Sequence, residues 1–423
     1  MSTRAPALAL CLGLLTTGGC IATDGSEGDD EVHEQSSALH TTADYKDPGM
    51  NPWTPADARA DCRLDVSKLE AADIANLAIF RYGKQCYMKG SDGVGSLYSA
   101  TKTLGGLMVG RAAYLTQDIQ RSGSGTGTIL PEDKATDWLG SVNYSPFARL
   151  THVMSMSADN LIPGSDFEYD TFGNVQINTL IDVTKKAIGQ IPTLGTDASD
   201  FVQRELFNKL GMTNSSWLPA PFGIAGGWFG NMSDMGRLGM LLLHDGWYNG
   251  ERLVAKEWVY RMSHPAFEYA NTSYGHLMWL NHRGNAQGAG GNVFNPPSDA
   301  EAKKWKNGDP CAPAAFWQSY PHGVSPARDC RAALAGTSCV QQYDVGVYSA
   351  QGAGGQFIVM HPGLDLVIVA KNYNVEYGPF NLWEKVRPAV IALDPVYKDR
   401  PDAFCAAYGA GNYAPDLVLP RGP

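Results

Sequence analysis

The chain has 423 residues, 44% of them hydrophobic, which is enough for one large domain or two. Its formal net charge at pH 7 is −10 and its pI is about 5.4. The chain is acidic overall and its sequence contains no basic patch that could bind phosphates, so nucleic acid is not an expected partner.

The first residues predict export. A basic start at Arg4 precedes an apolar run over 5–15 and the small residues Gly18 and Gly19, the pattern of a secretory signal peptide over 1–19. This apolar run is too short to span a bilayer. Cys20 resembles the lipidated cysteine of bacterial lipoproteins. We therefore expect a periplasmic or outer-membrane lipoprotein of a Gram-negative-type bacterium, with the lipid on Cys20 as its sole membrane contact, or alternatively a secreted protein.

Residues 20–41 are rich in Asp, Glu, Gly and Ser, and they predict a disordered acidic tether because they offer too little apolar surface to fold. The remaining residues, 42–423, are predicted to form the functional domain. Of the eight cysteines, two lie before residue 21, and an even six remain, which favours disulfides in an exported protein. The six allow 15 pairings. The nearest partners are Cys62 and Cys86, and the others are Cys311, Cys330, Cys339 and Cys405.

In chain order, residues 72–89 read as a hairpin that turns at Gly83-Lys84. The run from Ser99 to Gly110 reads as a buried helix, since nearly all of its later residues are small or apolar. Apolar residues at helical spacing predict further helices at 176–189, 198–210, 233–244 and 254–262, and Gly211 ends the second of these.

From residue 274 the pattern becomes strand-like. Strands are predicted at 274–281, 345–350, 356–360 and 364–370, with a turn at Pro362-Gly363 and a final helix at 381–391. Strands at both ends with helices between them predict an α+β fold: one antiparallel sheet from about 60–98 and 265–395, flanked by helices, with an inserted helical subdomain over about 99–250. Residues 283–344, with prolines, glycines and three cysteines, read as an ordered insertion.

One four-residue pattern carries chemistry. Ser99-Ala-Thr-Lys102 is the only place in the chain where a serine stands three residues before a lysine. On a helix these two side chains share a face, about 5–6 Å apart at Cβ, so the amine can reach the hydroxyl. The N-terminus of the helix adds positive potential beside the oxygen where charge develops. The alternative is an N-capping serine beside a solvated lysine, but a lysine within so apolar a helix is rarely unpaired.

A serine nucleophile needs a base, and its tetrahedral intermediate needs two N–H donors, which two later segments can supply. Tyr169 and Thr171 lie in a loop before a helix, and a glycine-rich run from Gly352 to Gln356 opens a strand. Together with Ser-x-x-Lys, the Tyr-x-Thr and Gly-Ala-Gly-Gly-Gln motifs resemble those of the serine β-lactamase and DD-peptidase superfamily. The resemblance covers roughly residues 60–395 without the insertion, and includes the stretches 226–237, 247–254 and 274–281. The nearest branch holds class C β-lactamases, esterases and 6-aminohexanoate-dimer hydrolases.

The resemblance implies a role for each matching residue. Ser99 is implied as the nucleophile, Lys102 as the group that takes up its proton, and Tyr169 as the group that passes a proton to the leaving group. The backbone N–H groups of Ser99 and Ala353 are implied as the oxyanion hole. The substrate is expected to contact Thr171, Gln351, Gly352 and Gly354.

Two departures from the superfamily pattern bear on the substrate. Ala350 stands where the superfamily has a lysine or histidine, and Thr171 stands where it has an asparagine. That lysine helps to bind the carboxylate of penicillins and D-Ala-D-Ala peptides, so its loss favours a small ester or linear amide. The expected function is an exported serine hydrolase with no metal and no organic cofactor. The alternatives are a β-lactamase or D-Ala-D-Ala peptidase, and a non-catalytic penicillin-binding-like sensor or scaffold.

Overall fold

The strands form three antiparallel groups in the computed structural model, which describes residues 57–140, 147–157, 176–264, 266, 274–280, 348–361, 364–373 and 378–390. The largest is a six-stranded sheet with the order β2-β1-β11-β10-β9-β8, and the others join β3-β5-β4 and β6-β7. The strands are β1 Leu77–Arg81, β2 Lys84–Lys89, β3 Gly95–Ser96, β4 Ser216–Trp217, β5 Trp228–Gly230, β6 Trp247–Tyr248, β7 Glu251–Arg252, β8 Trp279–Leu280, β9 Tyr348–Gly352, β10 Gln356–His361 and β11 Leu366–Ala370.

The main sheet joins segments that are far apart in the chain. Strand β1 pairs antiparallel with β11, in the register Leu77 opposite Ala370 and Arg81 opposite Leu366. Every residue of β1, β9, β10 and β11 is buried, so these strands are covered on both faces. This mixture of helices with an antiparallel sheet confirms the predicted α+β class.

The helices follow the apolar periodicity of the sequence. The segment from 198 to 210 is continuous, with a π-helical stretch at Gln203–Phe207, and it ends at Gly211 in the left-handed conformation (φ 67°). The α-helices used below are α1 Val66–Ala71, α2 Thr101–Leu115, α3 Ala135–Leu139, α4 Leu150–Met154, α5 Leu180–Ile188, α6 Ala198–Val202, α7 Asn208–Leu210, α8 Met232–Leu243, α9 Lys256–Ser263 and α10 Gly378–Val386.

Helix α8 packs closely on one face of the main sheet. A Cβ built on Gly236 would lie 2.3 Å from the Phe80 ring, and one on Gly239 would lie 2.6 Å from Val367. Glycine is therefore required at both positions for the helix to lie this near the strands. On the opposite face Trp383 of α10 contacts His361, with ring centroids 4.8 Å apart. The sheet thus lies between two helical layers, which explains the continuous burial of its central strands.

Helix α2 runs through the middle of the fold. All its residues from Thr101 to Ala113 are buried. Neighbours press on several sides of it, because a Cβ on Gly105 would meet Ile224 and a Cβ on Gly110 would meet Trp258, at 2.2 and 2.3 Å respectively. The prediction that this segment is buried on most faces is confirmed, and its lysine lies inside the protein.

Some predicted boundaries were wrong. The first hairpin turns at Tyr82-Gly83 and not at Gly83-Lys84. Tyr82 and Gly83 both have positive φ (54° and 68°), as a two-residue hairpin turn of type I′ requires. Ser99 lies in a 3₁₀ turn, Tyr98–Ala100, and the α-helix begins only at Thr101. Three of the four predicted central helices match α5, α8 and α9, and the fourth is the 198–210 segment.

The strand predicted at 274–281 was also wrong in extent. Within 274–280, the described part of this segment, only Trp279–Leu280 forms a strand, because the positive φ of Leu277 (58°) interrupts the extended backbone. The predicted turn at Pro362-Gly363, the insertion 283–344, the signal peptide and the tether lie outside the described residues. Within the described ranges, no helix is both long and apolar enough to cross a bilayer.

Cys62 and Cys86 form a disulfide with a Cα–Cα distance of 5.9 Å, and the other four cysteines of the domain lie outside the described residues. The bond closes a loop with a sequence separation of 24. A loop of this length contributes about 3.5 kcal/mol in the chain-entropy description. We expect the double variant Cys62→Ser/Cys86→Ser to lose roughly this much, measured by urea unfolding, and the native protein to show no free thiol in residues 42–423. Two or more alkylatable cysteines in the native exported protein would contradict this.

Candidate active site

Ser99 lies at a sharp corner between β3 and α2. The Leu97 N–H donates to the carbonyl oxygen of Trp228 (2.9 Å), which extends the β3–β5 pairing as far as the turn. Tyr98 then adopts a positive φ of 47°, and the Ala100 N–H donates back to the Leu97 carbonyl (3.1 Å). The corner leaves Ser99 half-buried at the head of an otherwise buried helix.

The Ser99 and Lys102 side chains are in direct contact. Lys102 Nζ lies 2.8 Å from Ser99 Oγ, and only 4% of the lysine is exposed. Burial lowers the pKa of Lys102 from 10.5 to about 8, because the charged ammonium is poorly solvated there. Above about pH 8 this lysine is a neutral amine that can accept the proton of the hydroxyl it touches, so the pair has the geometry and the basicity of an activated serine.

The glycine-rich segment lies against the serine corner. A Cβ on Gly352 would lie 2.1 Å from the carbonyl oxygen of Leu97, two residues before Ser99, so only glycine permits this approach. Ala353 follows β9 directly and is exposed. Gly354 and Gly355 have positive φ (71° and 76°) and form the turn to β10. The fold therefore brings the segment predicted for the second oxyanion N–H beside the segment that carries the first.

The other predicted site residues have different outcomes. Gln351 is buried, and its Nε2 donates to Ser349 Oγ (2.9 Å) on the same face of β9. Gly354 contributes its carbonyl to Gln356 Nε2 (3.0 Å), a contact that shapes the turn. Tyr169 and Thr171 lie outside the described residues, so their assigned roles stay predictions.

Sequence reasoning missed Lys371, which supports the site from the end of β11. Its Nζ donates to the carbonyl oxygens of Gly93 (2.7 Å) and Gly230 (2.9 Å), the segments that lead into and pair with β3. Burial lowers its pKa, and the nearby Asp92 opposes this shift. A lysine just after a strand gives no sequence signal of burial.

Among the described residues, no group of three or more His, Cys, Asp or Glu side chains is placed to bind a metal.

Similar proteins were found by comparing structures and not by comparing sequences. No family model matches the chain, and no curated protein matches its sequence. A candidate β-lactamase from Bacteroides dorei is 15% identical with a TM-score of 0.49, covering 77% of this chain and 96% of that one. A β-lactamase from Mycobacterium bovis is 13% identical with a TM-score of 0.46 (76% and 99% covered). EstCE1, a hydrolase with promiscuous acyltransferase activity, is 13% identical with a TM-score of 0.45 (86% and 100%).

Two of these proteins are described as β-lactamases and the third as a hydrolase. At such low identity and TM-score, the reaction and the substrate of this chain have to be inferred from its own residues.

Proposed function

We propose that this protein is a serine hydrolase that cleaves a small ester or linear amide through an acyl-enzyme. The observation that carries the proposal is the contact of 2.8 Å between Lys102 Nζ and Ser99 Oγ, made by a lysine whose pKa is lowered to about 8. A surface lysine, with its ordinary pKa of 10.5, would release its proton only far above neutral pH, whereas Lys102 becomes a neutral amine above about pH 8.

The reaction follows from this pair. The neutral amine of Lys102 takes the proton as Ser99 Oγ attacks the substrate carbonyl carbon. The oxyanion then forms beside the backbone N–H groups of Ser99 and Ala353. Tyr169 delivers a proton to the departing alcohol or amine, and water then hydrolyses the acyl-serine by the reverse sequence of proton transfers. Apart from the attacking water, every step uses groups of this chain.

Ala350 supports an uncharged or weakly polar substrate. The superfamily's lysine at this place would meet a substrate carboxylate, whereas Ala350 is buried on β9 and offers no charge. A carboxylate held there without a cation would lose its hydration with little in return. This favours simple esters and linear amides over penicillins and D-Ala-D-Ala peptides.

The proposal is tested by labelling the purified protein with a fluorophosphonate and, separately, with a fluorescent penicillin. We expect covalent labelling by the fluorophosphonate alone, together with hydrolysis of p-nitrophenyl acetate. Labelling by both reagents would indicate a β-lactamase or D-Ala-D-Ala peptidase, and labelling by neither would indicate a non-catalytic scaffold.

The role of Tyr169 is tested by Tyr169→Phe, which keeps the ring and removes the proton carrier. We expect this variant to lose most of kcat on an ester with a smaller change in KM, because the hydroxyl is needed in the transition state more than in the ground state. Steady-state kinetics and a melting curve check this. A variant with kcat within about threefold of wild type, only about 0.65 kcal/mol in barrier, would remove Tyr169 from the mechanism.

Export belongs to the same proposal. The signal-like start and Cys20 point to an oxidising compartment, either as a lipoprotein or as a secreted protein. The Cys62–Cys86 disulfide supports this, because such bonds persist outside the cytosol and are rare within it.

A further inference from the structure

Thr101 stands between the serine and the lysine and has a buried hydroxyl with two backbone partners. Its Oγ1 lies 2.5 Å from the carbonyl oxygen of Tyr98, to which it donates. Thr101 Oγ1 also accepts a hydrogen bond from the N–H of Trp228 in β5, at 3.2 Å. Only 1% of Thr101 is exposed, so water does not compete for these bonds.

The two bonds fix the direction of the hydroxyl hydrogen. A hydroxyl has a single hydrogen and two lone pairs. Because Trp228 N–H occupies an acceptor site of Thr101 Oγ1, its hydrogen is directed to the Tyr98 carbonyl. The carbonyl of Trp228 also accepts the N–H of Leu97 (2.9 Å), so the backbone of one β5 residue holds the chain on both sides of Ser99.

The Tyr98 carbonyl matters because it shares a peptide unit with the Ser99 N–H. This unit is planar and trans, so the C=O and the N–H point in opposite directions. Tyr98 has a positive φ of 47°, a conformation that a bulky residue keeps only when its surroundings hold it. A bond that fixes the carbonyl therefore also fixes the direction of the N–H. Ser99 lies in the first turn of the 3₁₀ segment, where backbone N–H groups have no partner within the helix, so its N–H can serve a ligand.

From these contacts we infer that Thr101 is a positioning residue: its hydroxyl holds the Tyr98–Ser99 peptide so that the Ser99 N–H points at the substrate oxyanion. The inference rests on the proposed function and adds a residue to it. Thr101 itself does not touch the reacting atoms. It acts through the peptide that precedes the nucleophile.

The test compares Thr101→Val, which keeps the shape and removes the hydroxyl, with Thr101→Ser, which keeps the hydroxyl. Removing an oxyanion donor outright costs about 10²–10³ in kcat. The backbone N–H of Thr101 also points to the Tyr98 carbonyl, so the valine variant should keep part of the alignment. We expect Thr101→Val to lose about tenfold or more in kcat on p-nitrophenyl acetate with KM changed less than about threefold, and Thr101→Ser to stay within about threefold of wild type in kcat.

Thr103 provides a matched control on the same helix. It is equally buried, at 1% exposed, and its Oγ1 donates to the carbonyl of Leu277 at 3.0 Å. Thr103→Val removes one buried hydroxyl bond to the backbone, where Thr101→Val removes two, so its melting temperature should fall by a smaller amount while its kcat stays at the wild-type level. The pH midpoint of activity should be the same in Thr101→Val as in wild type, because the surroundings of Lys102 are unchanged.

Three results would overturn the inference: Thr101→Val with wild-type kcat, Thr101→Ser as impaired as Thr101→Val, or equal loss of kcat in the two valine variants. Failure of the proposed function looks different, since the wild-type protein itself would then show no fluorophosphonate labelling and no ester hydrolysis.

Discussion

Ser99→Ala is expected to abolish covalent labelling by fluorophosphonate and to reduce ester hydrolysis by about 10⁶ in kcat, the size of loss seen when a serine nucleophile is removed from a working site. The fold should survive. The variant loses one hydrogen bond, from Lys102 to a half-buried hydroxyl. This loss lowers the free energy of unfolding by about 1 kcal/mol. Intact-protein mass spectrometry after labelling and a thermal melt measure the two effects.

Ser96→Ala is the matched control for this change. Ser96 is also half-buried, lies three residues earlier in β3 and pairs through its backbone with Phe229. We expect it to label and hydrolyse like wild type. If Ser99→Ala still labelled at the wild-type rate, Ser99 would not be the nucleophile, and the proposed function would have to be assigned to another residue.

Lys102→Met is expected to lose nearly all activity and at the same time to stabilise the protein at neutral pH. Methionine has a similar length and no charge, so it suits a site that is 4% exposed. Burial lowers the pKa of Lys102 from 10.5 to about 8, and this difference corresponds to a cost of about 3 kcal/mol for keeping the ammonium in the folded state. After the loss of the bond to Ser99, we expect a net gain of about 2 kcal/mol at pH 7.

The pH dependence of this gain has a definite sign. Below about pH 8 the lysine is charged in both the folded and the unfolded state, so the cost of its burial is fully present. Between about 8 and 10.5 the folded protein has released the proton and the unfolded chain still binds it, so the stability of the wild type rises with pH. The advantage of Lys102→Met should therefore shrink above pH 8. Urea unfolding at pH 7 and pH 9.5 measures it.

The rate of the wild-type enzyme should rise over the same range. Ester hydrolysis increases as the amine loses its proton, with a midpoint below the free tyrosine value of about 10. If Tyr169 lies beside Lys102, as the motif predicts, the two groups titrate together and the midpoint belongs to the pair. A flat pH–rate profile between 6 and 10 would contradict this assignment of the base.

Lys371→Met serves as the control for the stability effect. Lys371 is also buried and its pKa is also lowered, but its Nζ donates to the carbonyls of Gly93 and Gly230. Its replacement leaves the Gly93 and Gly230 carbonyls without this donor, and the Gly230 bond is buried, so we expect a loss of stability instead of a gain. If both variants were stabilised alike, the gain would follow from removing any buried lysine. It would then not depend on Lys102 having fewer hydrogen-bond partners than Lys371.

Local patterns in the sequence determined much of this protein. The spacing of Ser99 and Lys102 predicted their contact, because three residues along a helix return to nearly the same face. The apolar run after them predicted a buried helix, and the alternation of strands and helices predicted the α+β class. Gly352 was predicted to contact the substrate because a strand glycine permits close approach by a ligand, and in the structure the Leu97 carbonyl lies against it.

Only the tertiary structure decided how these segments meet. The positive φ of Tyr98, the 3₁₀ turn at Ser99 and the two bonds of Thr101 depend on β5, which arrives from more than a hundred residues further along the chain. From the sequence alone, Lys371 would be taken for an ordinary solvated lysine. In the structure its position after β11 lets it donate to the carbonyls of Gly93 and Gly230 beside the β3–β5 pair. Periodicity reports which face of an element is buried. The backbone groups that a buried side chain reaches are set by long-range strand pairing, and a single sequence carries no local signal of that pairing.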